Sequence, residues 1–297
     1  MNGPLPHPLR APAPGRVVLV GAGPGDVDLL TLKAARMIAA ADWLVHDALV
    51  HPDVLALASR AERIAVGKRA GRRSTPQAEI NRILVDCAMR GGLVIRLKGG
   101  DPLLFARARE EIDALRDAQI PVEVVPGITT AQAAYASLAA PMTERGRRRA
   151  IVFATPQVQA AEGLPAGAPA GSRDPSDLHW ARSLVTAGGG AVYMAASVAG
   201  RVRATLLSLG LPADTPAVWM VDVSLPDQAA VPTTLGALAA LPPALAGRPA
   251  LLLVGTAVPT PTGSVPQAHD TLGVPADRPT DARPTPTGEP ATAPLSA

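Results

Sequence analysis

Short apolar runs alternate with helical patterns along most of the chain, and this alternation constrains the fold more than any other feature. Five predicted strands in the first half cover residues 17–20, 43–45, 64–66, 93–97 and 122–125. Four more cover residues 150–154, 191–195, 217–221 and 250–254. Strands that alternate with helices predict mostly parallel or mixed sheets with right-handed crossovers. We therefore expect an α/β protein with two α/β domains.

Changes in composition divide the chain into four parts. A segment at 139–149, rich in Arg, separates the two predicted domains, and a Pro/Ala/Gly loop at 155–176 is long enough for a lid or a disordered segment. A short helix is predicted near 234–241 and an N-cap at Asp28. The four parts are a disordered lead-in (1–15), an N-terminal domain (16–140), a smaller C-terminal domain (141–258) and a disordered Pro/Thr/Ala-rich tail (259–297).

Composition excludes several function classes. Hydrophobic residues make up 47% of the chain and can form a sizeable core, but aromatic residues, at 2%, are too few to stack on single-stranded nucleic acid. Cys87 is the only cysteine, which excludes internal disulfides and fits a reducing cytoplasm. The histidines show no metal-ligand spacing, and no apolar run approaches the roughly 18 residues of a membrane span. We expect a cytoplasmic protein without a metal, a nucleic-acid partner or a membrane partner.

Unusual turns follow the predicted strands of the first half directly. They contain Gly21 to Asp26, Asp47, Lys68, Gly99 to Asp101, and Thr129. Because the carboxyl ends of parallel strands meet at one edge of a sheet, these residues should converge where open α/β sheets bind ligands. Paired glycines leave the backbone open to close approach, so the turn at Gly99 is a predicted contact point.

The first turn and the acid Asp47 outline a dinucleotide or adenosine site. However, Asp26 stands where a pyrophosphate-binding fingerprint has its third glycine, and a carboxylate there would repel a pyrophosphate. A turn rich in carbonyls and carboxylates tolerates a sulfonium cation. The pattern therefore favours S-adenosylmethionine, with an NAD-dependent oxidoreductase and a non-catalytic scaffold protein as alternatives.

Five motifs resemble the tetrapyrrole methylase family, and they occur in that family's order. The motifs are Gly21-Ala22-Gly23-Pro24-Gly25-Asp26 with Leu29-Leu30-Thr31-Leu32-Lys33-Ala34, His46-Asp47-Ala48-Leu49-Val50, Val66-Gly67-Lys68-Arg69-Ala70-Gly71, Arg96-Leu97-Lys98-Gly99-Gly100-Asp101-Pro102 and Val125-Pro126-Gly127-Ile128-Thr129. The resemblance covers roughly residues 16–258 and is greatest to the uroporphyrinogen-III C-methyltransferases of that family.

The resemblance implies two α/β domains, S-adenosylmethionine in the cleft between them, and a homodimer. It implies methyl transfer to C2 and C7 of uroporphyrinogen III, giving precorrin-2 on the route to sirohaem and cobalamin, or else methylation of a later precorrin. Asp47 and Lys68 match positions with acid/base roles. The residues that match cofactor contacts are Pro24, Gly99, Gly100, Asp101, Leu104, Thr129, Thr130 and Met194.

The implied tetrapyrrole substrate carries carboxylates, which guanidinium groups bind in a two-pronged manner. The candidate substrate-binding residues are Arg69, Arg72, Arg73, Arg107 and Arg145. Departures from the family pattern lie mainly on this side of the site. They are Ala106 and Ala108 in place of two glycines, Glu144 and Gln157 in place of two histidines, and Ser224 near an expected glycine.

Overall fold

The computed structural model describes residues 14–67, 75–146, 148–156 and 178–255, which form two five-stranded sheets with helices packed on them. The predicted disordered tail and most of the lead-in and of the long loop lie outside the described residues. None of the helices in these ranges combines the length and the apolar character needed to cross a bilayer.

The first sheet is parallel throughout, as predicted. Its strands are β1 (Arg16–Gly21), β2 (Trp43–His46), β3 (Glu62–Ala65), β4 (Leu93–Lys98) and β5 (Val122–Val125), in the order β3-β2-β4-β1-β5. Val20 of β1 aligns with Leu97 of β4 and with Val125 of β5. The carboxyl ends of β4, β1 and β5 are therefore level, and the turns that follow them meet.

Helices cover both faces of this sheet, because β1 is apolar on both faces and β4 contributes apolar side chains to both. The helices are α1 (Leu32–Ala39), α2 (Pro52–Ala56), α3 (Gln77–Met89), α4 (Ala108–Asp117) and α5 (Thr130–Ser137).

The predicted N-cap at Asp28 is wrong. Asp26 caps a short 3-10 helix by accepting from the Asp28 amide at 2.9 Å, and Thr31 caps α1 by accepting from the Ala34 amide at 3.1 Å.

The second sheet is mixed. Its strands are β6 (Val152–Ala154), β7 (Gly189–Val192), β8 (Pro216–Val221), β9 (Ala229–Thr234) and β10 (Ala250–Gly255), in the order β6-β7-β10-β8-β9. Only β6 and β7 pair in parallel among the described strands of this sheet. The helices α6 (His179–Thr186) and α7 (Ala199–Ser208) cover one face.

Two details of the second sheet differ from the sequence prediction. The segment near 234–241 is not a helix, because the chain forms β9 and then a turn. Pro232 fits an edge strand, where its missing N–H breaks no sheet hydrogen bond. The strand predicted to reach Ala195 ends at Val192, which leaves Tyr193 and Met194 in the following turn.

Helix α5 joins the two sheets. It follows β5 of the first sheet, and its alanines and Tyr135 pack on the face of the second sheet opposite α6 and α7. Small side chains let the helix approach that sheet closely. As a result, the carboxyl edge of the first sheet faces the loops of the second across a cleft.

Candidate active site

A cleft of about 630 Å³ lies between the carboxyl edge of the first sheet and the loops that follow β7 and β8. Asp47 lines it. All eight residues predicted from the resemblance to contact a cofactor line it as well, namely Pro24, Gly99, Gly100, Asp101, Leu104, Thr129, Thr130 and Met194. Residues distant in sequence are thus gathered at one place by the topology of the parallel sheet.

Glycines form the wall of the cleft because three backbone segments cross there. Gly23 and Gly100 exchange backbone hydrogen bonds of 3.2 and 2.7 Å, and both have positive φ, 67° and 66°. A Cβ atom on Gly127 would lie 2.3 Å from the Gly100 carbonyl oxygen, and one on Gly21 would lie 2.6 Å from the Gly127 backbone. Only glycine permits this approach.

Asp101 holds two of these segments together. Its Oδ1 accepts from the Leu103 amide at 2.8 Å, and its Oδ2 accepts from the Gly127 amide at 3.1 Å. The carboxylate therefore fixes the turn after β4 against the turn after β5. Asp101 also lines the cleft, and its two hydrogen bonds fix the orientation of the carboxylate there.

Two aromatic residues line another side of the cleft, namely Phe105 and Tyr193, of which Tyr193 was predicted to lie in a strand. The Tyr193 hydroxyl is hydrogen-bonded to the Thr129 hydroxyl and accepts from the Ala131 amide at 3.1 Å. Burial raises the pKa of Tyr193. The Phe105 ring lies 5.2 Å from the Tyr193 ring, centroid to centroid, and Phe105 borders the cleft. The two aromatic rings give the cleft an apolar side suited to a flat ligand.

Several non-glycine residues around the cleft have left-handed backbone conformations. The φ angles are 52° at Phe105, 54° at Met194, 45° at Asp222 and 69° at Ser224. Such conformations cost free energy and tend to cluster at functional sites. The conformation of Ser224 explains why the family pattern has a glycine near this position.

Hydrogen bonds hold Ser224 in this conformation. Its Oγ accepts from the Asp26 amide at 3.0 Å, and its amide donates to Gln228 Oε1 at 2.7 Å. The first of these bonds connects the turn after β1 with the loop after β8. Ser224 therefore ties the two sides of the cleft together, which glycine could not do with a side chain.

Three buried charged residues lie beneath Asp47 and are linked to it, and we call the four together the charge cluster (Asp47, Arg96, Lys98 and Glu111). Arg96 and Lys98 of β4 are 2% and 3% exposed, and Glu111 of α4 is fully buried. Burial and then repulsion from Arg96 lower the pKa of Lys98, whereas Glu111 opposes that shift. Sequence reasoning missed the cluster. The available signal was two cations two residues apart in an otherwise apolar strand.

The predicted substrate-binding residues are less well placed. Arg107 pairs with Glu110 at 2.7 Å and lines a neighbouring depression that shares Phe105 with the cleft. Arg145 is exposed in a turn between Glu144 and Arg148. Neither lines the cleft. Four predicted residues lie outside the described part of the chain, namely Lys68, Arg69, Arg72 and Arg73.

No group of three or more His, Cys, Asp or Glu residues that could hold a metal ion occurs within the described ranges. Cys87, on α3, is buried, and burial raises the pKa of its thiol.

These features define a two-sheet α/β protein with a ligand cleft at the carboxyl edge of a parallel sheet. The chain belongs to the family of Tetrapyrrole (Corrin/Porphyrin) Methylases, whose model matches residues 16–239.

Two curated relatives are each 40% identical to the chain. The siroheme synthase of Zymomonas mobilis aligns with 82% of the chain and 49% of its own length. The uroporphyrinogen-III C-methyltransferase of Paracoccus denitrificans aligns with 79% of the chain and 77% of its own length. The chain thus spans about half the length of the siroheme synthases that it matches.

Solved structures agree with this assignment. The uroporphyrin-III C-methyl transferase of Thermus thermophilus, in complex with S-adenyl homocysteine, is 35% identical and has a TM-score of 0.66. The alignment covers 82% of this chain and 99% of that protein.

Proposed function

We propose that the protein is an S-adenosylmethionine-dependent C-methyltransferase that methylates uroporphyrinogen III at C2 and C7, giving precorrin-2 for sirohaem or cobalamin synthesis. The observation that carries this proposal is the convergence of the eight family-matched residues and Asp47 on one cleft. The name of the Paracoccus relative and the S-adenyl homocysteine bound by the Thermus protein support it.

The cleft fits such a cofactor. Its volume of about 630 Å³ lies within the usual range for small-molecule sites. A Cβ atom on Gly99 would meet nothing within 4 Å, so the backbone there is open to a ligand. Bound in the cleft, S-adenosylmethionine supplies a methyl group already activated for transfer. The wall residues that would hold it are Pro24, Gly99, Gly100, Asp101, Leu104, Thr129, Thr130 and Met194.

The remaining work of catalysis falls to positioning and charge. The protein holds a pyrrole carbon in line with the methyl group, which lowers the entropic part of the barrier. Methylation of a neutral pyrrole places positive charge on the macrocycle, and an ionised Asp47 at the cleft would stabilise that charge and accept a proton. We propose that Lys68 acts as the general acid that complements Asp47.

The arginines Arg69, Arg72, Arg73, Arg107 and Arg145 are proposed to pair with substrate carboxylates. Guanidinium groups bind carboxylates through two parallel hydrogen bonds, which favours arginine for this task. Arg107 is suitably close, because its depression shares Phe105 and Ala106 with the cleft. Substrate binding should therefore weaken with rising salt.

We also propose a cytoplasmic homodimer with domains 16–140 and 141–258. Large apolar side chains outside the cleft support self-association, because Leu32 is 76% exposed and Met89 is 59% exposed. Sedimentation at several concentrations measures the oligomeric state, and limited proteolysis measures where the chain separates into domains.

A methyltransferase acting on a later precorrin is the second candidate. Glu144 replaces a histidine of the family pattern, and Ala106 and Ala108 replace two glycines beside the cleft. These changes affect the side proposed for the substrate and leave the glycine wall intact.

Incubation with uroporphyrinogen III and methyl-labelled S-adenosylmethionine tests the proposal through the mass of the product. We expect addition of one and then two methyl groups. Unmethylated uroporphyrinogen III together with methylation of a later precorrin would favour the second candidate. Calorimetric binding of NAD and not of S-adenosylhomocysteine would reject both.

A further inference from the structure

The charge cluster has a specific placement within the sheet. Side chains alternate along β4, so that Ile95 and Leu97 enter one apolar layer and Val94 enters the other. Arg96 and Lys98 share the face of Val94, which is covered by α3 and α4. Two cations therefore lie within an apolar layer, where each needs a partner.

Glu111 partners both cations. Lys98 Nζ donates to its two carboxylate oxygens at 2.8 and 2.9 Å, and Arg96 Nε donates to Oε1 at 3.0 Å. Gln77 Nε2 donates to the same oxygen at 3.3 Å. Glu111 is thus held from three sides and does not depend on Arg96 alone.

Other N–H groups of Arg96 connect the buried Lys98 and Glu111 to the cleft. Nη2 donates to Asp47 Oδ1 at 2.6 Å, and Nη1 donates to the Leu97 carbonyl at 3.3 Å. The Asp47 side chain is 33% exposed, in contrast to the 2% of Arg96. Since a guanidinium is planar and its donors are fixed relative to one another, contacts in three directions set its orientation.

We propose that Arg96 is a positioning residue that acts through Asp47, and this inference rests on the methyltransferase function proposed above. Arg96 holds Oδ1 of Asp47 and leaves Oδ2 for the reacting macrocycle. When a C–H bond of the methylene bridge beside the methylated ring breaks, its electron pair neutralises the positive charge of that ring and the proton moves to Oδ2 of Asp47. Arg96 keeps its own protons throughout.

Charge counting supports a role beyond folding. With all four groups ionised, the charge cluster is neutral, because two carboxylates balance two cations. Without Arg96, Lys98 and Glu111 would still form a neutral pair, whereas Asp47 would lose the side chain that orients it. A neutral replacement at position 96 should therefore affect Asp47 more than the fold.

The test compares Arg96→Gln, Arg96→Lys, Asp47→Asn and the double variant Asp47→Asn/Arg96→Gln, with Arg82→Gln as the control. Arg82 is a good match because it also bonds two carboxylates, those of Glu79 and Asp86, but on the exposed face of α3. Methyl transfer to uroporphyrinogen III gives kcat and KM, calorimetry gives the affinity for S-adenosylhomocysteine, and thermal unfolding gives the melting temperature.

We expect Arg96→Gln to lower kcat about 100-fold, on the scale of acid/base contributions, with cofactor affinity changed less than about twofold. Arg96→Lys should recover about tenfold, because it keeps a cation against both carboxylates. In the Asp47→Asn background, Arg96→Gln should cause no further loss, since residues that act as a unit are not additive. Arg82→Gln should match the unchanged protein.

Three results would overturn the inference. An unchanged kcat in Arg96→Gln would show that Asp47 needs no positioning. An equal loss in both backgrounds would show that Arg96 acts independently of Asp47. Unfolding of both Arg96→Gln and Arg96→Lys would make Arg96 a structural counter-ion only. An unchanged protein that binds S-adenosylhomocysteine but methylates no uroporphyrinogen III would instead reject the proposed function, and this inference with it.

Discussion

The two sheets build their sides of the cleft by different means. On the side of the parallel sheet, glycines allow tight turns and close backbone contact, as at Gly23, Gly100 and Gly127. On the side of the mixed sheet, Asp222 and Ser224 adopt left-handed conformations with a side chain present. One side therefore depends on missing side chains, and the other on hydrogen bonds that hold strained residues in place.

Acidic residues on the two sides give the largest expected contrast. Asp47, beside the parallel sheet, should be needed for methyl transfer, so Asp47→Asn is expected to lower kcat about 100-fold or more. Asp222 also lines the cleft, but Arg248 Nε donates to its Oδ2 at 2.5 Å. We expect Asp222→Asn to change kcat less than about threefold, because this carboxylate is engaged in holding its loop. Equal losses of kcat in Asp47→Asn and Asp222→Asn would contradict a catalytic role for Asp47 and a purely structural role for Asp222.

The crossing of backbones at the glycine wall gives the next largest effect. Gly127→Ala places a methyl group 2.3 Å from a backbone oxygen, so we expect a loss of roughly 3 kcal/mol in the free energy of unfolding, measured with urea. Gly99→Ala is the matched control, because its added Cβ would meet nothing within 4 Å. That variant should unfold as before and bind S-adenosylhomocysteine about tenfold more weakly. A stable Gly127→Ala protein would show that the wall can relax.

Substitutions of Ser224, on the side of the mixed sheet, should change the free energy of unfolding less than Gly127→Ala does. Ser224→Ala keeps the strain and loses the hydrogen bond from the Asp26 amide, so it should be less stable by about 1–2 kcal/mol. Ser224→Gly loses the same bond but relieves the left-handed conformation, so its free energy of unfolding should change by less than about 1 kcal/mol. Calorimetric melting distinguishes the two. If Ser224→Ala were more stable than Ser224→Gly, the strain of the left-handed conformation would not decide the stability at this position.

The two tyrosines give the smallest expected effect. Tyr193 has hydrogen-bond partners on the cleft wall, whereas the buried hydroxyl of Tyr135 has no partner among the described residues. Tyr193→Phe should therefore cost about 1 kcal/mol, and Tyr135→Phe should be neutral or stabilising.

Burial raises the pKa of both hydroxyls above the ordinary value of 10.0. The free energy of unfolding is therefore unaffected by these groups below that pH and falls as the pH rises from the unfolded-state pKa through the folded-state pKa. Tyrosinate absorbance should appear at higher pH in the folded protein than in the unfolded one. Identical titration curves for the two states would contradict burial as the cause.

Turn chemistry explains why much of the cleft could be predicted from the sequence. A glycine pair, an acid and a proline next to one another specify a turn locally, and the parallel order of the strands then places the turns together. The role of each wall residue stays a prediction, although the structure gathers them. Lys68 and the three arginines Arg69, Arg72 and Arg73 lie where the structure describes nothing.

The parts that sequence reasoning missed depend on contacts between distant elements. Arg96 and Glu111 are 15 residues apart, on a strand and a helix, and no local pattern indicates that they meet. Likewise, the end of β7 before Tyr193 is set by pairing with β10, in which Leu252 aligns with Val192. Local propensity favoured a helix near 234–241, but pairing with β8 extends β9 to Thr234, and a turn follows it.

The charge cluster also limits how the sequence can change over time. Loss of one buried charge leaves its partner unpaired, which is costly, whereas replacing a complete set by apolar residues is often tolerated. A chain that loses only Lys98 or only Glu111 is therefore less stable than a chain that keeps both or has replaced both. A lineage that starts from this chain would retain these residues together or lose them together.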